Sequence, residues 1–137
     1  CAPTKEARFM PRSPLTISLD VPDVAAAVEF YRDILGFELA GTWEEEGKAV
    51  WAEVARDAPQ GTARVWFFSH PIPGREVPML SGLIYIFVED VDAEAEKLKG
   101  KVAFRWGPEN QEYGLRELGF QDPHGYLICF ARDVRLT

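Results

Sequence analysis

The stretch ISLDVPDVAAAVEFYRDILGF, at residues 17–37, decides the fold because a similar stretch, IYIFVEDVDAEAEKLKGKV, follows at residues 84–102. Both begin with the alternating pattern of a strand, pass through Val-Xaa-Asp-Val and continue with helical periodicity. Asp23 and Asp90 lie 67 positions apart, each placed to cap the N-terminus of a helix. We interpret the two stretches as copies of one duplicated strand–helix unit, with chance similarity as the alternative.

Apolar residues recur on one face of each predicted helix, at intervals of three or four positions. These residues are Val24, Val28, Tyr31 and Leu35 in the first helix and Val91, Ala95 and Leu98 in the second. Gly36 and Gly100 follow the two stripes and are expected to end the helices. Each helix is therefore predicted to lie with its apolar face against a sheet.

Three strand-like runs follow each helix, and turn residues separate them. Turns are predicted at EEG, DAPQG, GPENQ and DPHG, and the proline-rich run PIPGREVPML divides the two halves. The pattern predicts an α+β chain of two tandem βαβββ modules that form a curved mixed sheet. The predicted parts are an N-terminal tail at 1–12, a first module at 13–70, a linker at 71–81, a second module at 82–133 and a C-terminal tail at 134–137.

The charge of the chain limits its partners. The 137 residues carry a net charge of −7 and are 47% hydrophobic and 27% charged, as in a globular domain. There is no basic patch to bind phosphates, which argues against a nucleic-acid partner. The negative charge suits a cationic ligand, although many soluble proteins are equally acidic. No apolar run approaches the roughly 20 residues that span a bilayer.

Two cysteines, Cys1 and Cys129, are too few for a disulfide framework and favour the reducing cytoplasm. Cys1 leaves a membrane location open, because a processed lipoprotein begins with a lipid-anchored cysteine; an arbitrary chain start is the preferred interpretation. Cys129 lies within a predicted strand. Since no histidine is obviously placed to activate its thiol, we interpret it as a small buried hydrophobe rather than a nucleophile.

The two sides of each predicted strand differ in polarity. In the first strand, an apolar side should pack beneath the helix; it consists of Leu15, Ile17, Leu19 and Val21. The opposite side is mixed in both modules, with Thr16, Ser18 and Asp20 in the first and Leu83, Tyr85, Phe87 and Cys129 in the second. Such a face is typical of a sheet that curves around a ligand or meets a partner.

The segments DVPDVAAAVEFYRDILGFEL, FVEDVDAEAEKL and DPHGYLICF, in this order and spacing, resemble the vicinal-oxygen-chelate superfamily, which includes glyoxalase I, extradiol dioxygenases and bleomycin-resistance proteins. The resemblance covers residues 14–132 and therefore both modules. It implies the glyoxalase/bleomycin resistance fold, in which paired βαβββ modules curve into a cup that is usually completed in a homodimer.

Metal-binding members of this superfamily hold their ion with four side chains, one from the first and one from the last strand of each module. The resemblance places these positions at Thr16, Leu83, Cys129 and either Val65 or Trp66. None is the histidine or glutamate of a Lewis-acidic site, so we expect no metal and no other cofactor. The two histidines, His70 at a strand end and His124 in a turn, are interpreted as surface residues.

Aromatic and charged residues remain to bind a ligand in the cup. The four tryptophans either line a pocket or pack the sheet; they are Trp43, Trp51, Trp66 and Trp106. Asp20 and Glu89 occupy matching positions and either attract a cation or lie solvated at the rim. Arg116 and Glu117 point to opposite sides of one strand, so only one of them faces the cup, as an anion anchor or a proton-transfer carboxylate. A surface salt bridge is the alternative.

The preferred hypothesis is a metal-independent, bacterial, cytoplasmic protein that sequesters an aromatic or cationic compound, similar to the bleomycin-resistance proteins of antibiotic resistance. The alternative is an enzyme, a glyoxalase-like lyase or isomerase with or without a divalent metal; a structural dimer with a vestigial cup is a third. Expected partners are a second copy of the chain and the small molecule. The predicted ligand-binding residues are Thr16, Ser18, Asp20, Trp51, Trp66, Leu83, Tyr85, Phe87, Trp106, Arg116, Glu117 and Cys129. No catalytic residue is predicted.

Overall fold

The computed structural model describes residues 15–58, 60–69 and 82–136 of the chain. These residues form two compact units, one within Cys1–Met79 and one within Leu80–Thr137. Cys1, the predicted N-terminal tail, His70 and the predicted linker lie outside the described residues, so the predicted boundaries of the tails and the linker stay predictions. No helix among the described residues is long and apolar enough to cross a bilayer.

The first unit is a βαβββ module. Its elements are β1 (Ile17–Asp20), α1 (Val24–Asp33), β2 (Glu38–Glu45), β3 (Lys48–Ala58) and β4 (Gly61–Phe68). The strands form a mixed sheet in the order β1-β4-β3-β2, in which β1 runs parallel to β4 and the other neighbours are antiparallel. This order places the first and the last strand of the module side by side.

The second unit repeats the same topology. Its elements are β5 (Ile84–Phe87), α2 (Val91–Leu98), β6 (Phe104–Asn110), β7 (Leu115–Gln121) and β8 (Leu127–Asp133), followed by a short 3-10 helix at Val134–Leu136. The sheet order is β5-β8-β7-β6, again with the first and last strands parallel. The predicted α+β fold of two βαβββ modules is confirmed.

Both helices begin at the predicted caps. The Asp23 carboxylate accepts a hydrogen bond from Ala26 N at 3.0 Å, and the Asp90 carboxylate accepts one from Ala93 N at 3.0 Å. Each bond satisfies a backbone N–H of the first turn that has no partner within the helix. Just past the helix ends, Gly36 and Gly100 adopt φ of +80° and +79°. This left-handed backbone conformation commonly ends a right-handed helix and favours glycine.

The core of each unit contains the apolar face of its helix. Tyr31 of α1 contacts Phe67 of β4, with ring centroids 4.8 Å apart, and Phe120 contacts Phe130 in the second unit at 5.3 Å. The predicted helix stripes are buried as expected. Leu15 is the exception on the first strand: it precedes β1 and is 74% exposed, so its predicted place beneath the helix is wrong.

The predicted turn at GPENQ is also wrong, because β6 continues to Asn110. The strand absorbs Gly107 and Pro108 in an irregularity of the β6–β7 pairing between Trp106 and Glu109, where the Gly107–Pro108 peptide bond is cis. The chain reverses later, and Gly114 N donates to Gln111 O at 3.1 Å in that turn. As a result, Tyr113 lies in the turn that leads into β7.

Candidate functional site

Strand β5 carries an aromatic surface on one side of the second sheet. Alternation along the strand buries Ile84 and Ile86 and leaves Tyr85 41% and Phe87 40% exposed. The two aromatic rings stack, with centroids 6.1 Å apart and planes inclined by 23°. Stacked, exposed rings on a sheet offer a flat apolar surface to a planar molecule.

The carboxylate of Glu117 on β7 adjoins this aromatic surface, although the residue is only 2% exposed. Its Oε2 accepts hydrogen bonds from the Tyr85 hydroxyl at 2.7 Å and the Tyr113 hydroxyl at 2.8 Å. Its Oε1 accepts one from Trp106 Nε1 at 3.2 Å. Glu117 and these three donors form what we term the Glu117 cluster. The cluster connects β5, β6, β7 and the turn before β7.

Small residues on the same side of the sheet make room for the cluster. Tyr85 reaches Glu117 across β8, where the intervening side chains are Cys129 and Ala131. Trp106 lies over Gly119, its partner on β7, and a Cβ atom at position 119 would overlap the indole ring. Glycine is therefore required at 119 by the close approach of Trp106.

The groups that donate hydrogen bonds to the Glu117 carboxylate are all electrically neutral. Within the part of the chain that the structure describes, no lysine or arginine pairs with this carboxylate. In the first unit, by contrast, the carboxylate of Glu53 accepts hydrogen bonds from Arg64 Nη1 at 3.1 Å and Trp66 Nε1 at 3.0 Å. Hydrogen bonds make a buried carboxylate tolerable, but only a cation cancels its charge. Among the described residues, therefore, no cation compensates the negative charge beside the aromatic surface of the second unit.

Burial and the neighbouring Glu117 raise the pKa of two groups, the Tyr85 hydroxyl and the Cys129 thiol. Burial, and then the hydrogen bond to Glu117, raises the pKa of the Tyr85 hydroxyl well above its ordinary value. Burial, with a contribution from the charge of Glu117, raises the pKa of the Cys129 thiol to about 12. Both groups are thus protonated at neutral pH. This state, with complete burial of Cys129, agrees with its interpretation as a small apolar residue.

The first unit has its own aromatic face. Trp51 and Trp66 meet edge to face with centroids 5.6 Å apart, and Ser18 lies opposite Trp66 in the β1–β4 pairing. Trp43, opposite Trp51 on β2, is exposed. The charge of Glu53 is compensated by Arg64, whereas Glu117 in the second unit accepts hydrogen bonds from neutral donors.

The model of the glyoxalase/bleomycin resistance protein/dioxygenase superfamily matches residues 14–130. The chain belongs to this superfamily. Each unit has the βαβββ topology that the sequence resemblance implied. No curated protein sequence matches the chain.

Solved structures of the superfamily resemble the chain along most of its length. TnmS3, described as an antibiotic binding protein from Streptomyces sp. CB03234, is 26% identical with a TM-score of 0.68, covering 91% of this chain and 99% of that chain. A glyoxalase/bleomycin resistance protein from the same organism is 28% identical with a TM-score of 0.66, covering 84% and 96%. TioX from Micromonospora sp. ML1, 21% identical with a TM-score of 0.70 over 89% and 99%, shows the shared fold alone.

The metal-ligand positions of the superfamily can be placed from the strand pairing. Ser18 pairs with Trp66 as Tyr85 pairs with Cys129, so Trp66, rather than Val65, is the counterpart of Cys129. Together with Thr16 and Leu83, these positions supply neither histidine nor carboxylate. Over residues 15–58, 60–69 and 82–136, no group of three or more His, Cys, Asp or Glu could hold a metal ion. These four positions therefore lack the side chains that hold a divalent metal in the superfamily.

The structure separates Arg116 from Glu117. Glu117 faces the aromatic surface, whereas Arg116 reaches the other side of β7, where its Nε and Nη2 donate to the Asp92 carboxylate on α2 at 2.8 Å each. Arg116 therefore lies apart from the Glu117 cluster. Asp20 and Glu89 also differ from the expected matched pair, because Asp20 is buried and Glu89 is exposed.

Other predicted site residues fall into two groups, one on each unit. Tyr85, Phe87, Trp106, Glu117 and Cys129 come together in the second unit, with Leu83 just before β5; Thr16, Ser18, Trp51 and Trp66 belong to the first. Sequence reasoning missed Tyr113 and the role of Gly119. The contact of Tyr113 left no signal in the sequence, because this residue lies in the turn before β7, where the alternation of strand side chains does not apply.

Proposed function

We propose that the protein is a metal-independent small-molecule-binding protein that sequesters an aromatic or cationic compound, with a planar aromatic cation as the best fit. One observation carries the proposal: the buried carboxylate of Glu117, which no cation in the described part of the chain compensates, lies beside the exposed, stacked rings of Tyr85 and Phe87. Such a surface attracts a molecule that is both flat and positively charged.

Three attractions act together on such a ligand. Its ring stacks on the flat surface of Tyr85 and Phe87, and its charge interacts with the electron-rich ring faces. The negative charge of Glu117 adds a Coulomb attraction, which is stronger beside a partly dry surface than in bulk water. A neutral ligand of the same shape retains only the stacking.

The superfamily relationship supports a binding role. TnmS3 is an antibiotic binding protein and shares 26% of its residues with this chain over nearly the whole length. The metal-independent part of the proposal is supported by the chemistry of Thr16, Leu83, Trp66 and Cys129, which cannot supply the ligand set of a Lewis-acidic centre.

A glyoxalase-like lyase or isomerase finds less support in the geometry. Proton transfer needs a base with a free lone pair near the surface, and Glu117 would be the candidate. Its Oε2 already accepts two phenol hydrogen bonds and its Oε1 accepts the indole N–H, so three of its roughly four acceptor sites are occupied. The cluster therefore occupies most of the lone pairs that a general base would need.

Isothermal calorimetry with a matched pair of probes tests the proposal. 1-Naphthylmethylammonium and neutral 1-naphthylmethanol have the same naphthalene ring system and differ in charge. We expect saturable binding of the cation, at least about tenfold tighter than binding of the alcohol. Equal affinities for the two probes, or no saturable heat from either, would count against sequestration of an aromatic cation.

A further inference from the structure

Tyr113 occupies the place on Glu117 that a ligand's donor would take. Its hydroxyl shares Oε2 with that of Tyr85, yet the residue is 56% exposed and lies in a turn. The other two donors lie on strands and are held by packing. Tyr85 stacks on Phe87, and the indole ring of Trp106 packs over Gly119. Of the three donors, Tyr113 can therefore leave by side-chain rotation alone, a motion that is fast for exposed residues.

Access to Glu117 depends on such a movement. The residue is 2% exposed, so a ligand reaches its oxygens only when a covering side chain moves aside. We propose that the ligand of this site is an aromatic cation that carries an N–H group, which displaces the Tyr113 hydroxyl and donates to Glu117 Oε2. This inference rests on the proposed function, because it assigns the charged group of the ligand to the Glu117 cluster.

The exchange favours an N–H donor for two physical reasons. A buried carboxylate oxygen that loses a hydrogen bond without replacement is destabilised, so the incoming group must itself donate. A charged N–H also forms a shorter and stronger hydrogen bond with a carboxylate than a neutral hydroxyl does. A quaternary ammonium has no hydrogen to donate. It leaves Tyr113 in place and binds only the aromatic surface.

The test compares 1-naphthylmethylammonium with its trimethylammonium analogue, in calorimetric titrations of the full chain at neutral pH. In Tyr113→Phe the internal competitor is gone, and the ring and its exposed position are kept. We expect the dissociation constant of the primary ammonium to fall about three- to tenfold, the value of one hydrogen bond. The dissociation constant of the trimethylammonium probe should change by less than about twofold, because that cation never displaced Tyr113.

Glu117→Gln separates failure of this inference from failure of the proposed function. An equal change for both cations in Tyr113→Phe, or no change for either, would overturn the role of Tyr113. If Glu117→Gln nevertheless weakens both cations, the proposed function stands without the displacement of Tyr113. If Glu117→Gln alters neither, both proposals fail together.

Discussion

The indole ring of Trp106 lies over Gly119, and its Nε1 donates to Glu117 Oε1 at 3.2 Å. One backbone position without a side chain thus sets the orientation of a donor to the buried carboxylate. The relationship links a packing detail to the electrostatics of the aromatic surface, since a displaced Trp106 would leave Glu117 with two donors instead of three.

Gly119→Ala should therefore affect both stability and binding. The added methyl group overlaps the Trp106 ring, and relief of this overlap is expected to cost about 1–3 kcal/mol of unfolding free energy. The affinity for 1-naphthylmethylammonium should also fall, because Glu117 loses the hydrogen bond from Trp106 to Oε1 that holds its carboxylate in place and leaves Oε2 for the ligand. Urea denaturation and calorimetry measure the two effects. In a Trp106→Ala background the same substitution should cost much less, and equal costs in the two backgrounds would show that the ring is not the source.

The buried Cys129 thiol predicts a loss of stability in alkali. Its pKa in the folded state is raised from 9.0 to about 12, so the folded protein retains a proton that the unfolded chain has lost. The stabilising contribution is complete below about pH 9 and disappears as pH rises toward about 12, with a slope of up to about 1.4 kcal/mol per pH unit.

Urea denaturation at several pH values between 7 and 11 checks this expectation. Cys129→Ala removes the thiol, so it should flatten the decline that begins near pH 9 relative to the unsubstituted protein. The phenol of Tyr85, whose pKa is also raised, should maintain a decline at higher pH in both proteins. The same slope in both proteins near pH 9 would contradict a protonated Cys129.

Arg116→Ala should leave ligand binding unchanged. The guanidinium pairs with Asp92 on the side of β7 opposite to Glu117, and the pair is partly exposed, so its loss should cost less than about 1 kcal/mol of stability. Calorimetry with the naphthyl probes provides the measurement, with Asp92→Asn as the matched variant. A severalfold loss of affinity in Arg116→Ala alone would place Arg116 in the binding site after all.

Removal of metal should have no effect on binding. The donor set at Thr16, Leu83, Trp66 and Cys129 predicts that dialysis against a chelator leaves the affinity for 1-naphthylmethylammonium within about twofold. Elemental analysis of the protein before and after dialysis accompanies the titration. About one tightly held zinc, nickel or iron ion per subunit, lost together with binding, would overturn the metal-independent proposal.

Much of the fold could be predicted because the repeat is periodic. Asp23 and Asp90 mark the two helix starts, and alternation along each strand predicts which residues share a side. The prediction of a turn failed where the local residue types and the strand pairing disagree. Gly107 and Pro108 are typical of a turn, but the pairing of β6 with β7 continues past them as an irregular segment.

The site could be predicted only in part, for a geometric reason. Alternation shows that Arg116 and Glu117 point to opposite sides, but not which side carries the helix. That choice depends on how α2 packs, and Asp92 on α2 draws Arg116 to its side. The contact of Tyr113 with Glu117 depends on the path of a turn, which spacing alone does not specify.

The most direct test of the central claim compares Glu117→Gln with Glu96→Gln. Both substitutions remove one negative charge. Glu96, however, is an exposed residue of α2, and α2 lies on the side of the sheet opposite to the aromatic surface. The quantity to measure is the ratio of affinities for 1-naphthylmethylammonium and 1-naphthylmethanol. We predict that Glu117→Gln reduces this ratio about tenfold, whereas Glu96→Gln leaves it within about twofold. An unchanged ratio in Glu117→Gln would contradict the claim that Glu117 selects a cation.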